Sequence, residues 1–484
     1  MPEYLSPGVY VEEVPSAIKP IAGVSTSTAA FIGVVPDQIT IVEENPNFDP
    51  TKEATTEDGK KKDGTAAAQP NSPTVTWKFP FSQDDRDAAK KAFDALCVPG
   101  ARPPRAQDST PAGMKKFRQA QAALATATGR LSAGTMAAAG QPVLCTTFNE
   151  FTRHFGTFSA DPNHSNLAHG VYGFFNNGGT RCYVMRYAPG ADKDHPLQPL
   201  EDPLHLTPLE PIDEISLVAA PGITNVIVQN NIIDHCANMA DRFAILDAPE
   251  VPPDQDPTVD NTKVVPNTDY GALYFPRIMV FDAATSLTQP DTDGEIYVGP
   301  SGHMAGIYSR VDHERGVHKA PANEVVRGAL ATEVQISRAL QDGLNPEGVN
   351  CIRVFNDTVT VWGARTIGGD FNTDTKYINV RRTLIFLRKS IDQGTGWVVF
   401  EPNDRSLWAK IVRNVSAFLT NVWRDGALFG STPQEAFYVK CDDETNPFDE
   451  RELGRVTTEI GVSIVRPAEF VIFRISQWAG PQAT

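Results

Sequence analysis

Between Pro142 and Leu340 the chain alternates short apolar runs with helix-forming stretches, and this alternation restricts the fold more than any other feature. Residues 181–187, 215–220 and 243–247 are β-rich and apolar, and helical segments such as 223–240 separate them. Strands joined through helices run parallel, because a parallel pair needs a long crossover, and the helices then cover the sheet. Residues 27–35, ending at Pro36, form a continuous apolar run suited to a strand buried on both faces of such a sheet. Thr147, with Glu150 three residues later, has the spacing of a capping box and predicts a helix start there.

The flanking segments behave differently. In Gly8-Val9-Tyr10-Val11-Glu12-Glu13-Val14 the β-formers lie between Pro7 and Pro15, which confine them to one short strand. At the other end, residues 469–475 place Phe470, Val471, Ile472 and Phe473 consecutively, so both faces of that strand require burial. Neither strand has a sequence neighbour to pair with, and an unpaired strand leaves main-chain groups unsatisfied, so each needs a sheet elsewhere. Residues 52–73 are charged and nearly devoid of apolar side chains, which predicts a loop, and residues 113–127 carry Phe117, Ala120 and Leu124 at helical spacing. Beyond residue 340, strands are expected at 351–355, 359–362 and 436–441, and helices at 380–390 and 407–423. The expected organisation is an arm and first core strand (1–36), an inserted surface domain (37–141), an α/β domain (142–340) and an α+β C-terminal domain with its own arm (341–484).

Charge and chemistry exclude several functions. The 484 residues carry 43 basic and 59 acidic side chains, a net charge of −16, which argues against a nucleic-acid partner. No apolar run approaches the roughly 18–20 residues that span a bilayer, and Met1-Pro2-Glu3-Tyr4 does not resemble a secretory leader, so neither membrane insertion nor secretion is expected. The six cysteines form no CxxC pair and fit reduced thiols and cytoplasmic assembly. His313 and His318 are five residues apart, hence about 140° apart on a helix, and cannot share a metal as an i, i+4 pair does. Ser301 lacks the GxSxG spacing of a nucleophile elbow, and no Gly-Lys-Ser/Thr follows the small polar run 23–28. Asp442-Asp443-Glu444 reads as a solvated turn. No catalytic, cofactor-binding or metal site is expected. The acidity is uneven, however: residues 376–424 hold nine bases (Lys376, Arg381, Arg382, Arg388, Lys389, Arg405, Lys410, Arg413, Arg424) against three acids. Such a basic sector suits an acidic protein surface.

Several long segments resemble the tail sheath family of contractile phage tails, R-type bacteriocins and extracellular contractile injection systems. They include Gly299-Pro300-Ser301-Gly302-His303-Met304-Ala305-Gly306, residues 315–324, Val361-Trp362-Gly363-Ala364-Arg365-Thr366 and Val380-Arg381-Arg382. Val399-Phe400-Glu401-Pro402-Asn403-Asp404, residues 430–437 and 467–472, and the opening 6–13 belong to the same set. Residues 37–141 are the departure, since the family passes from the first core strand to the next by a short link.

The resemblance implies a non-enzymatic structural subunit that stacks as hexameric rings around an inner tube and contracts to drive the tube through a target envelope. Its implied partners are further copies of itself, the inner tube protein, and baseplate and terminal cap proteins, with assembly in the bacterial cytoplasm and no cofactor. It also implies a subtilisin-like α/β middle domain without a catalytic triad, and a C-terminal sheet completed by strands from neighbouring subunits. Val9, Tyr10, Val11 and Val14 would supply one such strand and Phe470, Val471, Ile472 and Phe473 the other, while the C-terminal domain would face the tube through Lys410 and Arg413. A hydrolase on the α/β domain, or a static shell protein, is the alternative from another class.

Overall fold

The computed structural model describes residues 20–44, 74–132, 134–192 and 195–472. Val9, Tyr10, Val11, Val14 and Phe473, and the charged stretch 52–73, lie outside the described residues. The chain divides into two compact units, Ser25–Arg382 and Thr383–Thr484 with Met1–Val24.

The larger unit begins with β1 (Ala29–Val34), the antiparallel pair β2 (Ile39–Glu44) and β3 (Thr74–Phe79), and helices α1 (Gln83–Asp94) and α2 (Pro111–Leu131). There follow β4 (Val143–Cys145), α3 (Phe148–Phe155), α4 (Pro162–Asn176), β5 (Cys182–Tyr187), β6 (Leu217–Ala219), α5 (Val226–Met239) and β7 (Phe243–Asp247). The one-turn α6 (Val259–Thr262) leads to β8 (Gly271–Phe275), β9 (Ile278–Phe281), α7 (Ala283–Thr288), β10 (Glu295–Val298) and α8 (Ser301–Arg315). Strands β11 (Glu324–Val325) and β12 (Ala331–Thr332), helix α9 (Arg338–Leu344), and strands β13 (Val349–Phe355) and β14 (Thr358–Val361) complete it. Helix α10 (Ile378–Thr395) starts in this unit and ends in the smaller one, which adds α11 (Arg405–Arg424), α12 (Pro433–Ala436), β15 (Phe437–Lys440), α13 (Phe448–Glu452) and β16 (Glu459–Val462).

Nine strands form one sheet in the order β11-β14-β13-β8-β7-β6-β1-β5-β4. The six from β13 to β5 are parallel, as the strand and helix alternation requires, and antiparallel strands close both edges. All six residues of β1 are buried, and it sits between β5 and β6. Residues 351–355 and 359–362, read from the sequence as opening a separate C-terminal domain, instead extend this sheet: β13 pairs with β8 from Val349↔Leu273 to Cys351↔Phe275. The inserted segment supplies β2, β3, α1 and α2. Its α1 and α2 meet through Phe93 and Phe117, whose ring centroids are 5.3 Å apart.

In an open α/β sheet the ligand crevice forms where the strand order reverses, here beside β1 at the carboxyl ends of β1, β5 and β6. Near that position, at the end of β5, the buried Arg186 guanidinium donates to the carbonyls of Ala137 (2.6 Å) and Val35 (2.9 Å) and to the Asp37 carboxylate (2.8 Å), tying the end of β1 to the base of the insert.

The smaller unit is organised by α11, whose residues Leu407, Trp408, Ile411, Val415, Phe418, Leu419 and Val422 are buried at three- and four-residue spacing. Asp404 caps it, accepting from the Leu407 amide at 2.8 Å.

Candidate functional site

The basic sector separates into paired and unpaired charges. Arg382 is buried and bidentate to Asp312 (2.8 and 2.6 Å), donates to the Thr26 carbonyl and lies 4.8 Å over the Tyr308 ring. Arg381 pairs with Asp269, Lys376 with Asp370, and Arg405 with Asp443, while Lys389 is buried. The arginines of the Val380-Arg381-Arg382 segment are therefore structural. Arg388, Lys410, Arg413 and Arg424, all in the smaller unit, have no ion pair among the described residues. At 3.6 residues per turn Lys410, Arg413 and Arg424 fall within about 60° of one another on α11, opposite its apolar stripe. Lys410 is half-buried and Arg413 exposed, so both heads reach solvent from one polar face.

Strands β15 and β16 form a two-stranded sheet to which no third strand pairs among the described residues. Such a pair is marginal alone. Phe470, Val471 and Ile472 form no strand, and they are 70%, 68% and 78% exposed, an apolar run with no cover among the described residues.

The catalytic-looking residues serve packing. Asp247, at the end of β7, accepts from the Ser301 amide and hydroxyl (both 2.7 Å) and from the Gly222 amide (2.8 Å), so it caps the start of α8 from the sheet. Burial pushes its carboxyl up to about 6 despite these three donors. Ser301 thus donates to a buried carboxylate and has no imidazole partner among the described residues, where His303 packs against Gly173 with Nδ1 unpaired. His313 is exposed beside Glu314 in a cleft also lined by Arg310 and Arg327, and Gly316, at φ +91°, ends the helix before His318. No three His, Cys, Asp or Glu side chains are placed to share a metal ion among the described residues. Asp442 accepts from the Glu444 and Thr445 amides, and Lys440 pairs with Glu444, so residues 442–444 are a turn. The Thr147 hydroxyl caps Glu150 as expected, but Glu150 returns its carboxylate to Thr146, one residue short of a reciprocal box.

Ser301→Ala is expected to lower stability by about 1–2 kcal/mol, the cost of removing one donor from a buried carboxylate, and to change no chemistry. Thermal melts alongside an esterase and protease screen check this; a hydrolytic activity lost in the variant would revive the enzyme reading.

A model of the phage tail sheath protein central domain matches residues 211–367, and one of the phage tail sheath C-terminal domain matches residues 370–477, together more than half of the chain. The chain belongs to the contractile tail sheath family. The tail sheath protein of Burkholderia phage BcepMu is 25% identical over 211 residues, 42% of this chain and 42% of its own length. That of Vibrio phage KVP40 is 25% identical over 185 residues, 37% of this chain and 26% of its own. The matched regions thus span less than half of either relative. The mixed α/β multidomain fold also matches solved assemblies over nearly the whole length. A chain of the anti-feeding prophage baseplate gives a TM-score of 0.61 at 23% identity, covering 98% of this sheath-family chain and 99% of its own. A chain of the PVC sheath complex in its contracted state, from an extracellular contractile injection system, gives 0.63 at 20% identity, with 99% of each covered.

Sequence reasoning quoted Phe400 only within the 399–404 segment that carries the resemblance and gave it no role; in the structure it takes a left-handed backbone at φ +69° and is fully exposed.

Proposed function

We propose that this chain is the structural subunit of a contractile sheath, stacking as hexameric rings around an inner tube and contracting to drive the tube through a target envelope. The observation that carries this reading is an incomplete smaller unit: β15 and β16 lack outer strands among the described residues, while Phe470, Val471 and Ile472 stand exposed beyond them. Strands donated by neighbours would satisfy both, with Val9, Tyr10, Val11 and Val14 as one arm and Phe470 to Phe473 as the other, by main-chain pairing along a sheet edge. The sheath would join a baseplate, a terminal cap and the inner tube, and assemble in the bacterial cytoplasm as part of a phage tail or phage-tail-like particle. Contraction then needs two packings of one lattice, connected by arms that stay paired while the subunits rotate.

Deleting residues 1–20 tests the arm. The truncated protein is expected to melt cooperatively near the intact protein's temperature and to form no tubes by negative-stain microscopy. Tubes of normal length would refute strand donation by this segment.

The tube-facing role of Lys410 and Arg413 rests on their unpaired charges on one face of α11. Reversing both to Glu is expected to weaken tube-templated assembly several-fold at low ionic strength and progressively less as salt rises, with the subunit's melting temperature unchanged. Equal binding across ionic strengths would move the tube contact elsewhere.

A further inference from the structure

Helices α1 and α2 form a hairpin whose charge is sorted along its length. At the root, Arg130 near the end of α2 pairs with Glu43 and lies 4.9 Å over the Trp77 ring. The far end is the connection between the helices, where the Val98 amide donates to the Arg105 carbonyl (2.9 Å) and the Gln107 amide to that of Leu96 (3.0 Å). The twelve residues of α1 carry that end about 18 Å from the root. Asp84, Asp85 and Asp87 lie at the root end of α1, whereas residues 90–118 hold seven bases against Asp94 and Asp108, a net +5 on a chain of net −16. All seven bases are exposed, and none has an ion pair among the described residues.

The converse surface covers the other face of the nine-stranded sheet. From His195 to Asp241 the chain holds seven acids and no Lys or Arg. This stretch includes β6 and α5, and its Leu206 and Leu209 pack with Val228, Ile232 and Ile233 of α5 in one core. Glu214 and Asp241 are taken by Arg181 and Arg242, which leaves five carboxylates with no Lys or Arg partner among the described residues. Of these, Asp202, Glu210, Asp213 and Asp234 are exposed. The exposed Arg338 belongs to α9 against β13, with β8 and β7 between it and β6. Strand β5 divides the two surfaces. Its Arg186 reaches Asp37 and Ala137 at the base of the insert, while Tyr187, pointing to the opposite face, donates to the His205 carbonyl at 2.7 Å.

We propose that the cationic end of the hairpin of one copy docks on the acidic α5 face of the next, its Arg and Lys heads against Asp202, Glu210, Asp213 and Asp234. This rests on the sheath reading above. The hairpin is rooted on one face of the sheet and the acids lie on the other, so the contact joins different patches and repetition builds an open polymer. A net +5 meets five uncompensated carboxylates, and every copy supplies both. A foreign polyanion on the hairpin would leave those carboxylates without a counter-charge, whereas a second copy neutralises both surfaces at once. The charges on both sides stand at the wet surface, so the contact sets register and assembly rate and weakens with salt.

Three full-length variants test this. One carries Arg102→Glu, Arg105→Glu, Lys115→Glu and Arg118→Glu; the second carries Asp202→Lys, Glu210→Lys and Asp213→Lys; the third carries both sets. Either set alone is expected to raise the concentration needed for polymerisation about tenfold or more at low ionic strength, with a smaller effect as salt rises. The third variant pairs reversed charges and should regain the parent's value. Melting temperatures should match the parent's, because every altered side chain is exposed. A hairpin defect that the second set does not restore would assign the hairpin to a foreign anionic partner and overturn the contact, as would normal assembly of either single set. A lower melting temperature for the hairpin set would make its cations structural, with the same consequence. If the unaltered protein forms no polymer by negative-stain microscopy, the sheath reading fails. The contact is then read by sedimentation at low ionic strength: a monomer overturns it, and a salt-sensitive oligomer that both single sets abolish sustains it.

Discussion

Gly302→Ala is expected to destabilise the larger unit by about 3–5 kcal/mol, although alanine is the better helix former by about 1 kcal/mol. A Cβ at Gly302 would lie 2.3 Å from the Cα and carbonyl oxygen of Gly170, and one at Gly306 would lie 2.4 Å from the carbonyl oxygen of Phe174. The obstructing atoms are backbone, which cannot rotate aside. Helices α4 and α8 thus cross at glycines on both partners, and α8 is buried from Ser301 through Val311. Separating them by the width of a methyl group opens voids along the whole contact. Gly129→Ala is the control: it lies within α2, no described atom outside its own helix backbone comes within 4 Å of the place its methyl group would take, and the same substitution should there stabilise by about 0.5–1 kcal/mol. Chemical denaturation of both variants checks the pair. Equal effects would mean that propensity outweighs the crossing.

That helix also marks the limit of what the sequence discloses. Periodicity betrays α11, because one face is apolar and the other carries Lys410 and Arg413, and it betrays β1, because six consecutive small or apolar residues suit a strand covered on both sides. Helix α8 is buried around most of its circumference, with His303, Ser309 and Arg310 inside it, so it has no apolar stripe to read. The segment Gly302 to Gly306 is legible only as a resemblance; its physical reason is the partner helix, which comes much earlier in the chain. Strand β13 is recognisable as a strand, but its sheet is not, because its parallel partner β8 lies far away in sequence and no local signal specifies the pairing. The basic sector likewise reads as one surface: residue type shows a charge, but only tertiary structure shows that Asp312 and Asp269 neutralise Arg382 and Arg381.

Acid is expected to weaken the larger unit well before ordinary carboxylates titrate. His164 meets the Ser159 hydroxyl through Nδ1 (2.7 Å) and donates to the Phe155 carbonyl from Nε2 (2.9 Å), and burial, which disfavours the charged ring, pushes it down to about 4. His235 accepts from Arg242 at Nε2 (3.2 Å), and burial followed by that guanidinium lowers it to about 4. Burial, with His169 nearby, takes His303 down to about 3. The unfolded chain binds these protons near pH 6.5 and the folded chain refuses them, so stability is complete above about pH 6.5 and falls as pH drops toward about 4. Asp247 acts in the opposite sense: its carboxyl, raised to about 6, is protonated first in the folded chain and returns stability over the same range. At about 1.36 kcal/mol per pH unit, three imidazoles lose roughly 6 kcal/mol between pH 6.5 and 5 while one carboxyl returns about 1–2, a net loss of about 4 kcal/mol. Melting curves at pH 7.5 and 5.0 should therefore differ by several degrees, and replacing His164 with Gln, which keeps a donor and an acceptor but no titrating ring, should flatten the difference by about a third. A melting temperature independent of pH over this range would show that the rings acquire counter-charges on protonation, and would remove the acid sensitivity altogether.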